Sequence, residues 1–444
     1  MKTIIKSLLA VIVACVVCSS CANEPKKPNT NAIWLWGSHM KEAPIQEWAQ
    51  KGFGHILLNE AAFEKWGEEA VYAFMDECEK IGLTGAITHK RPGKETYETD
   101  YPMPTHNEAI ELVLKLLTDA EWGVIKSVDE IGAVGHRFAH GGKFQSSQVL
   151  TEAEMEYLES IVPINPLHGP PAIKGVYACR AVLADKPHVG VFDTSFYSTL
   201  EPKAYMYALP YEWYEKYGIR KYGFHGTSHR YVGAKAAEYL GKDIKDLKII
   251  TCHIGSGSSV TAIDGGIAVD TSMGFTPQDG LPMGTRCGAI DPSLVTYVMK
   301  QSGMTPDEMD NAMNKKSGLE GVSGVSSDCR DIEVAAEQGD EKAKLVLDMY
   351  FYQLQKFVGS YTAAMNGLDV MVFTAGIGEN SANVREGVCE GLGYFGVEID
   401  KEKNKLRGLD VNDITGPNSK VKVLVVATNE ELMIARDTVR LLGL

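Results

Sequence analysis

Positive charge is what this sequence lacks most: 44 Lys and Arg stand against 58 Asp and Glu, a formal net charge of −14. An acidic chain repels nucleic acid and anionic membrane surfaces, so any polyanion it binds must be met by local Arg, Lys, His or backbone N–H groups. Paired cysteines are missing from the body of the chain, where Cys78, Cys179, Cys252, Cys287, Cys329 and Cys389 stand without C-x-x-C spacing. That scatter fits buried free thiols in a reducing compartment and argues against disulfides or a zinc site. Internal repeats and low-complexity tracts are absent too. What remains is ordinary globular composition, 44% hydrophobic and 23% charged, in a chain of 444 residues, too long for one core and suited to two domains.

An apolar stretch opens the chain. Lys2 and Lys6 precede a run from Leu8 to Val17 that is too short to span a bilayer comfortably, and Ser19-Ser20-Cys21 follows it. Residues 1–21 read as a lipoprotein-like leader, with Cys18 where a Leu or Val is usual, and "ANEPKKPNTN" as a polar tether. A first core strand is the competing reading, but the tether offers it no turn and no pairing partner.

From Ala32 to His89 short apolar runs alternate with amphipathic stretches, "EAVYAFMDECEKIG" among the latter, which predicts β-α-β-α-β and a parallel-sheet fragment. Residues 90–102, "KRPGKETYETDYP", read as a junction. "HNEAIELVLKLL" then sets Ala109, Ile110, Val113, Leu114 and Leu117 at helical spacing, and "IGAVGHRFAHGG" is a strand entering a glycine loop. A long amphipathic helix is predicted over "EKAKLVLDMYFYQLQKFVGSYTAAM". Strands and helices alternate throughout, so the class is α/β.

Two segments have the chemistry of phosphate loops. Residues 247–274 read as a strand, a glycine-serine loop, a second strand, a Gly265-Gly266 turn and a third strand. Gly255 and Gly257 let backbone N–H groups approach an anion, Ser256, Ser258 and Ser259 add hydroxyl donors, and a plain tight hairpin would use the same residues. Residues 369–388 read as a buried strand, a loop with Gly376 and Gly378, and a helix beginning after Asn380 and Ser381, an arrangement that suits a nucleotide. Neither is a Walker A loop or a dinucleotide fingerprint. Arg137, Asp193, His225 and Arg286 each follow an apolar run, where a sheet delivers side chains to its edge. The arginines fit anion clamps or structural ion pairs equally well. Thr428 with Glu431 fits a capping box, which leaves Glu430 without that duty.

Taken together and in order, "AVGHRFAHGG", "PLHGPPAI", "VFDTSFY", "RKYGFHGTSHRYV", "TCHIGSGSS", "TSMGFTPQDGLPMGTRCGAIDPS", "NKKSGLEGVSG", "VFTAGIGENS" and "TNEELMIARDT" resemble the acetate kinase family, from about Lys94 to Leu444. The resemblance implies the actin/hexokinase-type ATPase fold, two related domains with an interdomain cleft, and a homodimer. It implies transfer of phosphate from ATP to acetate with Mg²⁺ or Mn²⁺. By matching motifs, Arg137 and Arg286 would hold the acyl carboxylate and the transferring phosphoryl group. His225 would bond that group, with His168 and His253 beside it, Asp193 organising the centre and Glu430 placing the metal. Ala139, Leu167, Phe224 and Pro277 would line the acyl-methyl pocket. His253, Ile254, Gly255, Ser256, Gly257, Asp328, Cys329, Arg330, Gly376, Ile377, Gly378, Glu379 and Asn380 would surround the nucleotide.

The departures are equally definite. The family's opening Asn-x-Gly-Ser-Ser-Ser-x-Lys turn has no counterpart before Lys94, Ser256 replaces an Asn, Cys329 a Phe and Gly169 an Asn. The domain expectation is therefore a leader at 1–21, a foreign βαβ-like segment at 22–93 in place of the family's first strands, an incomplete N-terminal kinase domain at 94–195, a C-terminal one at 196–428, and a closing helix at 429–444. Turnover would be impaired by the lost phosphate donors. The rival readings are a catalytically dead, membrane-tethered remnant that keeps nucleotide or acyl-anion affinity, and a propionate or butyrate kinase. ATP supply favours the cytoplasm, and only a lipid on Cys21 would bring the chain to a membrane.

Overall fold

The computed structural model describes strands at residues 9–15, 70–76, 84–89 and 97–102, and the chain over 106–444 apart from Leu167. The chain up to Ser195 together with Glu430–Leu444 makes one compact unit, and Phe196–Asn429 a second.

The first unit is built on a five-stranded sheet in the order β2-β1-β5-β7-β6. Its strands are β1 Leu9–Cys15, β2 Ala70–Asp76, β5 Ile131–Phe138, β6 Gln148–Val149 and β7 His188–Phe192. β1 runs parallel to both β2 and β5. The strand reading that the tether argued against is thus the one the structure takes for Leu9–Cys15. The tether and Cys21 lie outside the described residues. "EAVYAFMDECEKIG" is corrected as well, since Ala70–Asp76 is strand: aromatic and β-branched residues that can pair along an apolar neighbour override a helical spacing. Thr84–His89 (β3) is a strand, but it pairs antiparallel with Tyr97–Pro102 (β4), inside the stretch read as a junction.

Helix α1, His106–Leu117, falls on the predicted residues, and all five of its spaced apolar side chains are buried. Helices α2, Glu152–Ser160, and α3, Gly169–Val182, contribute Met155, Leu158 and Val176 to a core shared with Phe138 and Phe192. Thr151 and Glu154 close a capping box at the start of α2. The C-terminal helix, Glu430–Leu442, returns to this unit.

The second unit holds a six-stranded sheet, β10-β9-β8-β11-β13-β12. Strands β8 Lys248–Ile254, β9 Ser258–Asp264 and β10 Ile267–Thr271 form the antiparallel meander foreseen in the sequence. Gly265 and Gly266, at φ 62° and 84°, make the two-residue turn that a right-twisted hairpin requires. Strands β11 Val370–Thr374 and β13 Lys422–Val426 are parallel to β8 and to each other, and β12 Val411–Asp413 closes the edge. Helices α4 Gly226–Leu240, α5 Pro292–Ser302, α6 Cys329–Glu337 and α7 Glu341–Met365 follow in chain order. The last of these spans the predicted residues. It buries Val346, Tyr350, Leu354 and Val358 against one face of the sheet, while Val232 and Ala236 of α4 pack with Ile249, Val370 and Val372 in a separate cluster. Each such aliphatic side chain contributes roughly 1.5–3 kcal/mol. Among the described residues no helix is long and apolar enough to cross a membrane.

Candidate active site

Parallel sheets present their chemistry at the carboxyl ends of their strands. In the first unit Arg137 is the penultimate residue of β5, and Asp193 directly follows β7. The guanidinium grips Asp193 with two bonds, Nη2 to Oδ2 at 2.7 Å and Nε to Oδ1 at 3.3 Å, and its Nη1 lies 3.3 Å from Glu430 Oε2. An ion pair is therefore present at Arg137, and it orients the guanidinium without excluding an anion. Burial pushes the Glu430 carboxyl up to about 7; Arg137 opposes that rise, while Asp193 and Glu431 add to it. Glu431 is raised by burial as well. The capping box expected for Glu431 is corrected: the helix starts at Glu430, one residue too late for Thr428 to cap it. The Thr428 hydroxyl instead meets that of Ser228 at 2.8 Å. His168 sits immediately before α3 and Ala139 immediately after β5, both half-buried. Leu167 lies outside the described residues.

In the second unit β8 and β11 are parallel neighbours, with His253 opposite Thr374. The two predicted glycine loops leave these strands side by side: a Cβ on Gly255 would lie 3.8 Å from Ala375 Cβ and 4.0 Å from the Gly376 nitrogen. A Cβ on Gly257 would lie 3.3 and 3.4 Å from Cε1 and Nε2 of His225 and 3.8 Å from Nη1 of Arg286. Imidazole, guanidinium and glycine loop are thus gathered at one point, and a larger residue at 257 would crowd the histidine. His225 has φ 56°, a left-handed conformation that costs a non-glycine residue about 1–3 kcal/mol. Its ring stacks on His253 at 4.1 Å, and its Nδ1 is 2.9 Å from Ser259 Oγ. Arg286 donates to the Pro277 carbonyl at 3.1 Å. Phe224 is buried, and its carbonyl accepts from Tyr197.

Other expected residues are placed differently. Ser256 is exposed, but Ser258 and Ser259 are buried and not poised as surface donors. Ser258 bonds Tyr350, while Ser259 sits 2.7 Å from His229 Nε2, whose Nδ1 is 2.6 Å from Thr251. This buried chain from Thr251 through His229 and Ser259 to His225 was missed. The i, i+4 spacing of the two histidines in "YGFHGTSH" was its visible signal. Burial, with His253 nearby, keeps His229 well below the usual imidazole range.

Asp328 caps α6 by accepting from the Arg330 N–H, and it also pairs with the Arg330 guanidinium. Burial would raise its carboxyl, but the Arg330 bonds and charge hold it low. Cys329 turns into the core, where burial lifts its thiol to about 12, and Ile254 is core too, so neither side chain reaches a surface. The expected loop around Gly376 and Gly378 is a short helix, α8 Ala375–Asn380, followed by α9 Ala382–Glu390, which Ser381 caps. Gly376 is exposed, Ile377 packs on the core, Gly378 lies against β8, and Asn380 bonds the Gly376 carbonyl. The Glu379 carboxylate, expected at the nucleotide, turns inward onto backbone N–H groups of Ala375 and Thr428.

Strand ends that carry arginine, histidine and paired glycine loops define an α/β protein of the anion-handling, phosphoryl-transfer class. The chain belongs to the acetokinase family, whose sequence profile matches residues 59–436. That match begins well before Lys94, so residues 59–93 belong to the family region and are not foreign to it. The chain is 56% identical over 361 residues to an acetate kinase of Clostridium botulinum (strain 657 / Type Ba4), covering 81% of this chain and 91% of that one. Among solved structures it resembles Porphyromonas gingivalis acetate kinase, with TM-score 0.76, 47% identity, and 82% and 92% of the two chains covered. It also resembles a propionate kinase from Francisella tularensis subsp. tularensis SCHU S4, with TM-score 0.72, 39% identity, and 77% and 86% covered. Membership makes the chain an ATP-dependent carboxylate kinase.

Proposed function

We propose that the chain transfers the γ-phosphoryl group of ATP to acetate, giving acetyl phosphate and ADP. The observation that carries this reading is the gathering of His225 and Arg286 at Gly257, beside the Gly255 and Gly376 loops. A carboxylate oxygen forms the new P–O bond while the bond to the β–γ bridging oxygen breaks and ADP departs. Such a transfer asks mainly for positioning and neutralisation of charge on the equatorial oxygens. Arg286 and His225 serve that charge, and His253 holds the His225 ring by stacking. Gly255, Ser256, Gly257 and Gly376 let phosphates approach the backbone, and Asp328, Arg330, Ile377 and Asn380 flank adenosine. Arg137, oriented by Asp193, meets the acyl carboxylate with His168 nearby. By the family's motifs, Ala139, Leu167, Phe224 and Pro277 would be the residues that meet its methyl group.

Among the described residues no group of three or more His, Cys, Asp and Glu forms a metal site. Mg²⁺ needs less from the protein, one or two carboxylates with the rest supplied by water and phosphate oxygens. Asp193 and Glu430 fit that donor set, since both present carboxylate oxygens around the Arg137 guanidinium. Mg²⁺ or Mn²⁺ held there would neutralise phosphate charge. A homodimer is supported by α5, which buries none of its residues and exposes Leu294, Tyr297 and Val298 along one face. The cytoplasm is the compartment where ATP is at hand.

The test is a hydroxamate assay of acyl phosphate on the full chain with ATP and Mg²⁺, run on acetate and propionate in parallel. Metal- and acetate-dependent turnover is expected, below that of a chain bearing the Asn-x-Gly-Ser-Ser-Ser-x-Lys turn. ATP binding without turnover would instead identify a remnant. A preference for propionate would assign the chain to the chemistry named for its Francisella neighbour.

A further inference from the structure

Glu379 is set in the motif "AGIGEN" yet faces away from any surface ligand. Its Oε1 accepts from the Ala375 N–H at 2.9 Å, the Thr374 hydroxyl at 3.4 Å and the Thr428 N–H at 3.1 Å. Two of these partners begin the turn from β11 into α8, and the third stands two residues before Glu430. Ala375 has φ 65°, a left-handed conformation unfavourable for a residue with a Cβ. Such strain persists only where the surroundings enforce it. The carboxylate's bond to the strained residue's own N–H is that enforcement from one side. From the other, Arg385, fully buried, donates to the Gly378 carbonyl at 2.8 Å and to Asn404 at 2.6 Å. The exposed Gly376 lies between these two anchors, its nitrogen 4.0 Å from where a Cβ on Gly255 would sit.

We propose that Glu379 is a positioning residue that couples the nucleotide side of the reaction to the metal side: one carboxylate oxygen fixes both the Ala375–Gly376 turn and the backbone leading to Glu430. The inference rests on the kinase reading above. It goes beyond that reading, and departs from the sequence expectation, in giving the motif's glutamate a positioning role without contact with substrate. Removing the acceptor lets Ala375 relax toward negative φ, which moves the Gly376 N–H, and it frees Thr428, which loosens Glu430. Nucleotide affinity and metal requirement should therefore shift together and by more than the acetate requirement, because Arg137, which Glu430 also touches, keeps its two bonds to Asp193.

The experiment compares wild type, Glu379→Ala and Glu379→Gln by steady-state kinetics and by calorimetric binding of ADP, which reads the turn independently of turnover. For Glu379→Ala, KM for ATP, Kd for ADP and the Mg²⁺ concentration for half-maximal rate should each rise about tenfold, with KM for acetate within about twofold. Glu379→Gln should stay near wild type, because its amide oxygen still accepts both N–H groups. A folded Glu379→Ala protein whose ADP affinity and Mg²⁺ requirement are unchanged overturns the proposal, even if its Tm has dropped. So does an equal rise in KM for acetate. If the alanine variant does not fold, Glu379→Asp, which keeps the charge and shortens the reach by one methylene, should show the same paired shift of about threefold or more, and its absence is equally decisive. A wild type that binds ADP but does not turn over defeats the kinase reading alone, and the ADP arm then still decides the role of Glu379.

Discussion

Arg137 is held between two carboxylates, and this alters what its removal should do. Asp193 is almost fully buried, so deleting its partner leaves an uncompensated charge that costs about 3–5 kcal/mol. Arg137→Ala should consequently lower Tm as well as turnover. Arg286 stands at Gly257 among groups assigned to the phosphoryl group, and Arg286→Ala should lower kcat/KM by at least ~10²-fold, about 2.7 kcal/mol of transition-state stabilisation. Kinetics and thermal melts on the two variants check both statements. Near-normal turnover in each would remove the arginines from the mechanism. A loss of Tm without loss of turnover in Arg137→Ala would leave that residue a structural ion pair only.

At the scale of elements, β5 and β7 are joined by more than their backbone ladder. His136 Nε2 lies 2.8 Å from His188 Nδ1, and His188 Nε2 lies 3.3 Å from the Leu183 carbonyl. A carbonyl only accepts, so His188 carries its proton on Nε2, and His136 donates to its Nδ1. Both rings are buried and neutral. Burial, aided by the Arg180 charge, lowers His188 to about 4, and burial, His188 and Arg180 hold His136 well below the usual range. With folded values depressed below the unfolded 6.5, the unfolded chain binds more protons in the interval between them. The stabilisation is whole above about pH 6.5 and is lost as the pH falls from there toward 4. Melts at pH 7, 6 and 5 should show Tm falling progressively, and a His188→Gln variant should flatten that dependence. An unchanged pH slope in the variant would place the acid sensitivity elsewhere.

For the whole molecule the deciding segment is β1. It lies between β2 and β5, so its loss exposes two strand edges in the middle of a sheet, where unpaired N–H and C=O groups invite aggregation. A chain starting at residue 22 should be poorly soluble or melt well below the full chain. Sedimentation and thermal melts of the two proteins give the answer. A shortened chain as soluble and as stable as the full one would restore the leader reading of the opening residues.

Local pattern alone was enough for the helices at 106–117 and 341–365, whose apolar spacing declares them, and for the β8–β10 meander, whose short apolar runs are broken by glycine turns. The family was legible too, since loops such as "YGFHGTSH" and "GIGENS" combine residue types that a merely structural turn does not need. Tertiary structure decided what pattern leaves degenerate. An apolar run of seven residues is the same run in a leader or a central strand, and only pairing with β2 and β5 separates them. An arginine at a strand end carries no sign of which carboxylate will orient it, until Asp193 arrives from 56 positions away. A serine in a glycine loop and a glutamate in a nucleotide motif carry no sign of which way they turn. That direction was set by backbone geometry and long-range partners, the His229 ring for Ser259 and the Thr428 N–H for Glu379, contacts that only the folded chain brings within hydrogen-bond reach.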